Sequence, residues 1–223
     1  METRVHSLPV TRTAHYYLLG HPSPTTRDVW FVLHGYGQLA EFFIRHFRGL
    51  TTAADPTRTV VVAPEALSRF YLSGTYGRVG ATWMTKEKRL DEIADYVAYL
   101  NQLYNLLRPL CPHARVCLLG FSQGTATVSR WLQHLPEPPA QLVLWAGAFP
   151  EDMQFTATPA LLSRHTRLAT VVGTADEVVT PQSQARQQRF IDQHQLHPAQ
   201  YRFTGGHTLD AHVLEKLQAD LLL

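Results

Sequence analysis

Three residues far apart in the chain have the types and the order to do nucleophilic chemistry together. Ser122 stands in Gly120-Phe121-Ser122-Gln123-Gly124, Asp176 in Gly173-Thr174-Ala175-Asp176, and His207 in Gly205-Gly206-His207-Thr208-Leu209. An alcohol is a poor nucleophile at neutral pH, so an attacking serine needs a base, and the base needs an orienting group. The imidazole of His207 is the candidate base and the carboxylate of Asp176 the candidate orienter. Glu177, one position on, is the other candidate acid. Singly, each has a plainer reading. At roughly 7% usage of each residue type, a chain of this length meets G-x-S-x-G by chance about one time in ten. Ser122 alone fits a helix N-cap, His207 is one of 12 histidines, and Asp176 beside Glu177 fits a solvated loop. Jointly, and each just after an apolar run, they point to acyl transfer.

Such a reaction passes through a tetrahedral species with negative charge on the former carbonyl oxygen, which two preorganised N–H groups should meet. The backbone N–H of Gln123, at the positive start of the following helix, is one candidate. The N–H of Tyr36, in the turn His34-Gly35-Tyr36-Gly37, is the other; the alternative is a glycine-rich turn with no chemistry. His34 suits that turn better than it suits a base. Asp210 and His212 flank His207 but fall in or beyond the start of a helix.

Strands and helices must alternate to position these groups. Apolar runs predict strands over Ala14 to Leu19, Asp28 to Leu33, Thr59 to Ala63, Val116 to Leu119, Leu142 to Trp145, Leu168 to Val172 and Gln200 to Phe203. Helical spacing predicts helices over Leu39 to Leu50, Lys86 to Leu107, Thr125 to Leu135, Pro181 to about Gln195, and Leu209 to Leu222. The stripe of the longest would be Leu90, Ile93, Val97, Leu100, Tyr104 and Leu107. Leu67 to Thr85 reads as a long loop, and Pro150 to Arg164 as a loop with one short helix. Continuous buried strands alternating with helices imply an α/β fold, a mostly parallel central sheet with helices on both faces. Residues 1–223 read as one such domain with no repeat and no linker. Ligands of such sheets bind outside the carboxyl ends of the strands, where all four features fall.

Composition narrows the class. Hydrophobic residues are 45% and charged residues 17%, with a net charge of +2. That balance suits a large core and gives no sign of a nucleic-acid partner or of an anionic membrane. No run approaches 18 apolar residues, so no membrane span is expected. Met1 to Gly20 carries no signal-peptide or lipidation pattern. Cys111 and Cys117 read as reduced thiols, and the cytoplasm is the expected location. Trp30, Trp131 and Trp145 read as core. No cofactor and no metal is called for, and the oligomeric state is left open.

The pieces Leu33 to Gly37 (LHGYG), Val60 to Ala66 (VVVAPEA), GFSQG, Val171 to Thr180 (VVGTADEVVT) and Gly205 to Leu209 (GGHTL) together resemble the α/β-hydrolase superfamily. More narrowly they resemble the phospholipase/carboxylesterase family, which includes acyl-protein thioesterases. The resemblance runs from about Val29 to the C-terminus. It implies the α/β-hydrolase fold without a large lid domain, Ser122, Asp176 and His207 as the triad, and Tyr36 and Gln123 as oxyanion donors. The chain departs from the family in two places. Gln38 stands where members commonly carry an acidic residue, and Tyr76 to Met84 replaces the usual loop, with Trp83 as the match for its tryptophan. Dienelactone hydrolases share the scaffold but use a cysteine nucleophile.

Two aromatic segments read as pocket walls: Phe70, Tyr71, Leu72, Tyr76, Trp83 and Met84, and the stretch Phe149 to Leu162. The alternative is that half of these simply pack beneath the loop. Arg78 and Arg89 could meet an anionic substrate but read as ordinary surface residues. The expected activity is a serine carboxylester hydrolase working through an acyl-enzyme on small or medium soluble esters, its partner a small-molecule ester. The same triad would serve a thioesterase or lysophospholipase, separable by matched oxygen and sulfur esters. A hydrolase-like binding protein without turnover is the reading of another class.

Overall fold

The computed structural model describes residues 2–51, 54–153 and 166–221. Seven strands form one sheet in the order β1, β3, β2, β6, β7, β8, β9. They are β1 (Tyr16–Leu19), β2 (Asp28–Leu33), β3 (Thr59–Pro64), β6 (Arg115–Phe121), β7 (Gln141–Trp145), β8 (Arg167–Gly173) and β9 (Ala199–Phe203). Only edge strand β1 runs antiparallel; every other neighbouring pair is parallel. Parallel neighbours need crossover connections, and these carry helices to both faces.

The alternation of side chains along β2 assigns the two faces. Val29, Phe31 and Leu33 join one core with Tyr104 and Trp131; Trp30 and Val32 join the other with Phe43, Phe47 and Leu217. The same period of two sends Leu118 and Leu144 one way, and Leu119 and Trp145 the other. On the first face lie α2 (Arg89–Leu107) and α3 (Gln123–Leu132), and α4 (Pro181–Gln193) leans on it through Phe190. On the second lie the short α1 (Ala40–Phe43), its 3₁₀ continuation Ile44–Leu50, and α5 (Ala211–Asp220). Pro181 opens α4 behind Thr180, whose hydroxyl accepts the Ser183 N–H at 3.2 Å. Trp30, Trp131 and Trp145 are fully buried, and Cys111 and Cys117 are buried, unpaired thiols.

Three expectations from sequence need correction. The stretch Leu67 to Thr85 is not a loop throughout: β4 (Ser68–Tyr71) and β5 (Val79–Thr82) form an antiparallel hairpin outside the main sheet. Its exposed, Gly- and Ser-rich sequence hides the short strands. Leu90 is 74% exposed, because α2 begins only at Arg89 and its buried stripe starts further on, with Tyr96, Val97 and Leu100. The helix expected over Leu39 to Leu50 is one α turn followed by 3₁₀, although Phe43, Phe47 and Leu50 are buried as the spacing requires. Of the segment Pro150 to Arg164, residues 154–164 lie outside the described residues.

Two local features set the geometry at the sheet's carboxyl edge. The first is the turn from β6 into α3. A Cβ at Gly120 would sit 2.3 Å from the Gly124 carbonyl oxygen, and one at Gly124 would sit 2.2 Å from that of Leu33. Only glycine lets the three backbones approach this closely. The second is His34, fully buried at the end of β2. Its Nε2 accepts the Ala66 N–H at 3.1 Å, so the proton of the neutral ring sits on Nδ1, which donates to the Gly35 carbonyl at 2.8 Å. A second proton would find the Ala66 N–H in its place. Burial accordingly pulls the pKa of His34 from 6.5 down to about 4, against the favourable Gly35 contact and the charge of Glu65.

Gly120→Ala should therefore destabilise the protein by about 1–3 kcal/mol or more, since backbone rather than a flexible side chain must move; an unchanged urea midpoint would contradict the packing described. For His34, the unfolded chain takes up a proton below pH 6.5 while the fold resists it to about pH 4. The stability it contributes is complete above pH 6.5 and is lost as pH falls toward 4, by about 3 kcal/mol in all. NMR should find the His34 ring as the neutral Nδ1–H tautomer at pH 5; a titration midpoint near 6.5 would refute this.

Candidate active site

Ser122 occupies the turn after β6 with φ 53° and ψ −116°. Its N–H donates to the Trp145 carbonyl at 2.8 Å, and its carbonyl accepts the Thr125 hydroxyl at 2.6 Å. The backbone is thus tied on both sides. The side chain makes no capping bond to α3, although Ser122 holds the N-cap position, so the hydroxyl is not spent on the helix.

Asp176 and His207 meet at the ends of β8 and β9. The Asp176 side chain has no solvent exposure. Its Oδ1 accepts the N–H groups of Val178 at 2.9 Å and Val179 at 3.0 Å, and Nδ1 of His207 lies 2.8 Å from Oδ2. A carboxylate facing three donors only accepts, so Nδ1 carries a proton, and in the neutral ring the lone pair is on Nε2. The imidazole packs 4.9 Å from the ring of Phe121, the residue before Ser122. The indole of Trp145 donates to the Thr208 carbonyl at 2.9 Å, fixing the histidine loop against the end of β7. Glu177 is exposed, Asp210 is spent capping α5 through the Val213 N–H at 2.9 Å, and the His212 side chain is 93% exposed. The hydroxyl of Ser122 is not hydrogen-bonded to His207 in the free protein; such bonds commonly tighten only with substrate in place.

The turn after β2 lies against Ser122: a Cβ at Gly35 would stand 3.1 Å from the Ser122 Cβ. Gln38 holds this turn, its Oε1 accepting the Gly35 N–H at 2.7 Å. The departure at this position therefore keeps a side-chain acceptor for the loop. The Gly37 N–H donates to Ala81 O at 2.8 Å and the Ala81 N–H to Gln38 O at 3.1 Å, so β5 pins the turn from outside. The N–H groups of Tyr36 and Gln123 find no acceptor among the described residues. The side chain of Tyr36 is exposed and packs 5.1 Å from Phe70.

Sequence reasoning missed how Gln123 acts through its side chain. Its Oε1 accepts the Trp83 N–H at 3.1 Å, and its Nε2 donates to the Thr82 hydroxyl at 2.8 Å and the Met84 carbonyl at 2.9 Å. One amide thus joins the elbow to the segment after β5. The glutamine in GFSQG was the available signal. The Trp83 indole donates to the His34 carbonyl at 2.9 Å, completing the clamp on the turn.

A cavity of about 310 Å³ opens at Ser122. Its lining includes Ala146 and Gly147 after β7, Val178 and Val179 beside Asp176, and Gln187 and Ile191 of α4. None of Phe70, Tyr71, Tyr76, Trp83, Met84 or Phe149 lines it. Trp83 and Phe149 are buried in the core beneath, and Met84 is half-buried against the Arg130 guanidinium. Tyr76 is 97% exposed at the hairpin tip, and Tyr71 is exposed as well. Of the second wall, residues 154–162 lie outside the described residues. Arg89 is engaged by Asp152, and Arg78 is exposed. Among the described residues no group of His, Cys, Asp and Glu could hold a metal ion, and no helix is long and apolar enough to cross a membrane.

Three solved structures share the fold. A Zea mays acyl-protein thioesterase 2 superposes with a TM-score of 0.70 at 19% identity, covering 94% of this chain and 100% of that one. A carboxylesterase from Mesorhizobium loti gives 0.67 at 22% identity, covering 94% of each. The esterase PE8 gives 0.64 at 21% identity, covering 95% of this chain and 99% of that one. These likenesses establish the α/β-hydrolase fold. No curated protein matches by sequence. A family profile described as serine hydrolase (FSH1) matches residues 28–212, which takes in Ser122, Asp176 and His207 alike. The chain is therefore a serine hydrolase and belongs to the serine hydrolase (FSH1) family.

Proposed function

We propose that this enzyme is a carboxylester hydrolase working through an acyl-enzyme, with Ser122 as nucleophile, His207 as general base and acid, and Asp176 as its orienting partner. The observation that carries the reading is the Asp176–His207 contact at 2.8 Å, beside a serine at a positive φ whose hydroxyl makes no capping bond to the helix. Nε2 of His207 takes the Ser122 proton as Oγ attacks the acyl carbonyl. The oxyanion is received by the Tyr36 and Gln123 N–H groups, which have no competing acceptor among the described residues. His207 then protonates the departing alcohol oxygen. Water repeats the sequence on the acyl-enzyme and releases the acid. Each step moves only protons and the acyl group, so the scheme needs no metal or organic cofactor. A cavity of about 310 Å³ at Ser122 suits an acyl group of small or medium size.

Turnover of 4-nitrophenyl acetate, butyrate, octanoate and palmitate tests this. The shorter esters should be hydrolysed and palmitate poorly. Ser122→Ala should lower kcat at least about a thousandfold, and Asp176→Asn should lower it by roughly a hundredfold or more with the fold intact. Near-full turnover by Ser122→Ala would sink the assignment.

A further inference from the structure

The cavity at Ser122 runs sideways across the sheet, and strand register gives its direction. Phe121 pairs with Trp145, Trp145 with Val171, and Val171 with Tyr201. The residues that follow them, Ser122, Ala146, Val172 and Arg202, therefore stand in a row at one level, and all four line the cavity. Three strand spacings, about 14 Å, separate the two ends of the row. The period of two decides which way Arg202 points. Tyr201 and Phe203 pack against the second core. Arg202, between them, stands on the opposite face, where α4 lies over the cavity. It is the one charged residue among the described residues lining that cavity, and no carboxylate lines it. Its exposed side chain makes no hydrogen bond or ion pair with the described residues. Arg69, Arg89, Arg130 and Arg186 are by contrast each paired with a carboxylate. β9 is an edge strand, and an arginine there can serve simply to keep the edge from pairing with another chain. Arg202 has in addition its place at the end of the row that begins at Ser122.

The direction of the reaction decides which part of the ester lies there. His207 must reach the leaving oxygen to protonate it, so the alcohol portion sits against His207. The cavity is lined by Ser122 but not by His207, which leaves it to the acyl portion. We propose that Arg202 is a specificity-determining residue that receives a carboxylate at the far end of the acyl chain. The enzyme then favours half-esters of medium-length dicarboxylic acids over uncharged acyl esters of equal length. Ala146, Val172, Val179 and Ile191 meet the methylene groups between the two ends. The planar guanidinium offers the carboxylate two parallel N–H donors. The reaction itself is unchanged: the half-ester and water give the dicarboxylic acid and the alcohol. The inference rests on the esterase reading of the same site.

Its test is kcat/KM at low salt and neutral pH for the mono-4-nitrophenyl esters of adipic, suberic and sebacic acid. Each is set against the 4-nitrophenyl methyl diester of the same acid, which has the length without the charge. At the best of the three lengths the wild-type protein should prefer the carboxylate by at least about fivefold, and added salt should reduce that preference because the pair is partly solvated. Arg202→Gln should bring the ratio to about one while leaving the rate on the methyl diester unchanged, and Arg202→Glu should take it below one. Arg167→Gln makes the same change of charge at the far end of β8 and should leave the ratio as in the wild type. A wild-type ratio near one at all three lengths overturns the inference. So does a preference that survives Arg202→Gln, or one that falls equally in Arg167→Gln. The wild-type ratio and its salt dependence decide by themselves if the variants do not fold. Hydrolysis of both esters without preference removes this inference alone, whereas no turnover of either removes the esterase reading with it.

Discussion

An L-residue at φ 53° and ψ −116° lies outside the broad allowed regions, at a cost of roughly 1–3 kcal/mol, and persists only where its surroundings leave no alternative. Ser122 is held there by its neighbours. Gly120, Gly124 and the end of β2 are packed backbone to backbone, and the Ser122 N–H is fixed to the end of β7. The turn sits among parallel strands whose carboxyl ends stop at nearly the same level. β2, β6 and β7 provide them, and the parallel sheet brings the ends of β8 and β9 to the same rim. Ala146, also at positive φ (52°), continues the pattern one strand over, where the cavity begins.

Around that serine the two sides of the site are built differently. On the hairpin side the polar side chains around the turn are engaged: Gln38 holds Gly35, Gln123 holds Trp83 and Met84, and the Trp83 indole holds the His34 carbonyl. A buried neutral imidazole locks the base of the turn, so the proposed oxyanion donors are aimed by a rigid clamp rather than by a loop. On the far side, Asp176 is shut off from solvent while the ring it holds remains partly open. Between Ser122 and α4 the packing gives way to a cavity edged with valines and glutamines. Preorganisation is thus concentrated where charge would develop in the proposed reaction, and space is left where a substrate must enter.

Much of this was legible in the residues. The strands are continuous apolar runs because both faces of a parallel sheet are covered, so Asp28 to Leu33 and Leu142 to Trp145 could be read directly. The order of Ser122, Asp176 and His207, each at a strand end, placed the chemistry. Other features carry no such signal. Four-residue strands on an exposed hairpin look like a Gly-rich loop. The aromatic character of Trp83 and Phe149 does not say which side of the backbone they face, and here they face the core. Leu90 fits the helical stripe by spacing alone, but the covered part of the sheet begins beyond it. The sequence of α4 marks none of its glutamines out, and only the fold brings Gln187 to the cavity.

The central claim is that Ser122 is an activated nucleophile in the folded protein. The most direct measurement is labelling with a fluorophosphonate probe, followed by peptide mass spectrometry to locate the adduct. The expected result is stoichiometric modification of Ser122, abolished in Ser122→Ala, strongly slowed in His207→Ala, and lost when the protein is unfolded first. Failure to label Ser122 in the folded protein, or labelling that proceeds equally fast without His207, would contradict the account.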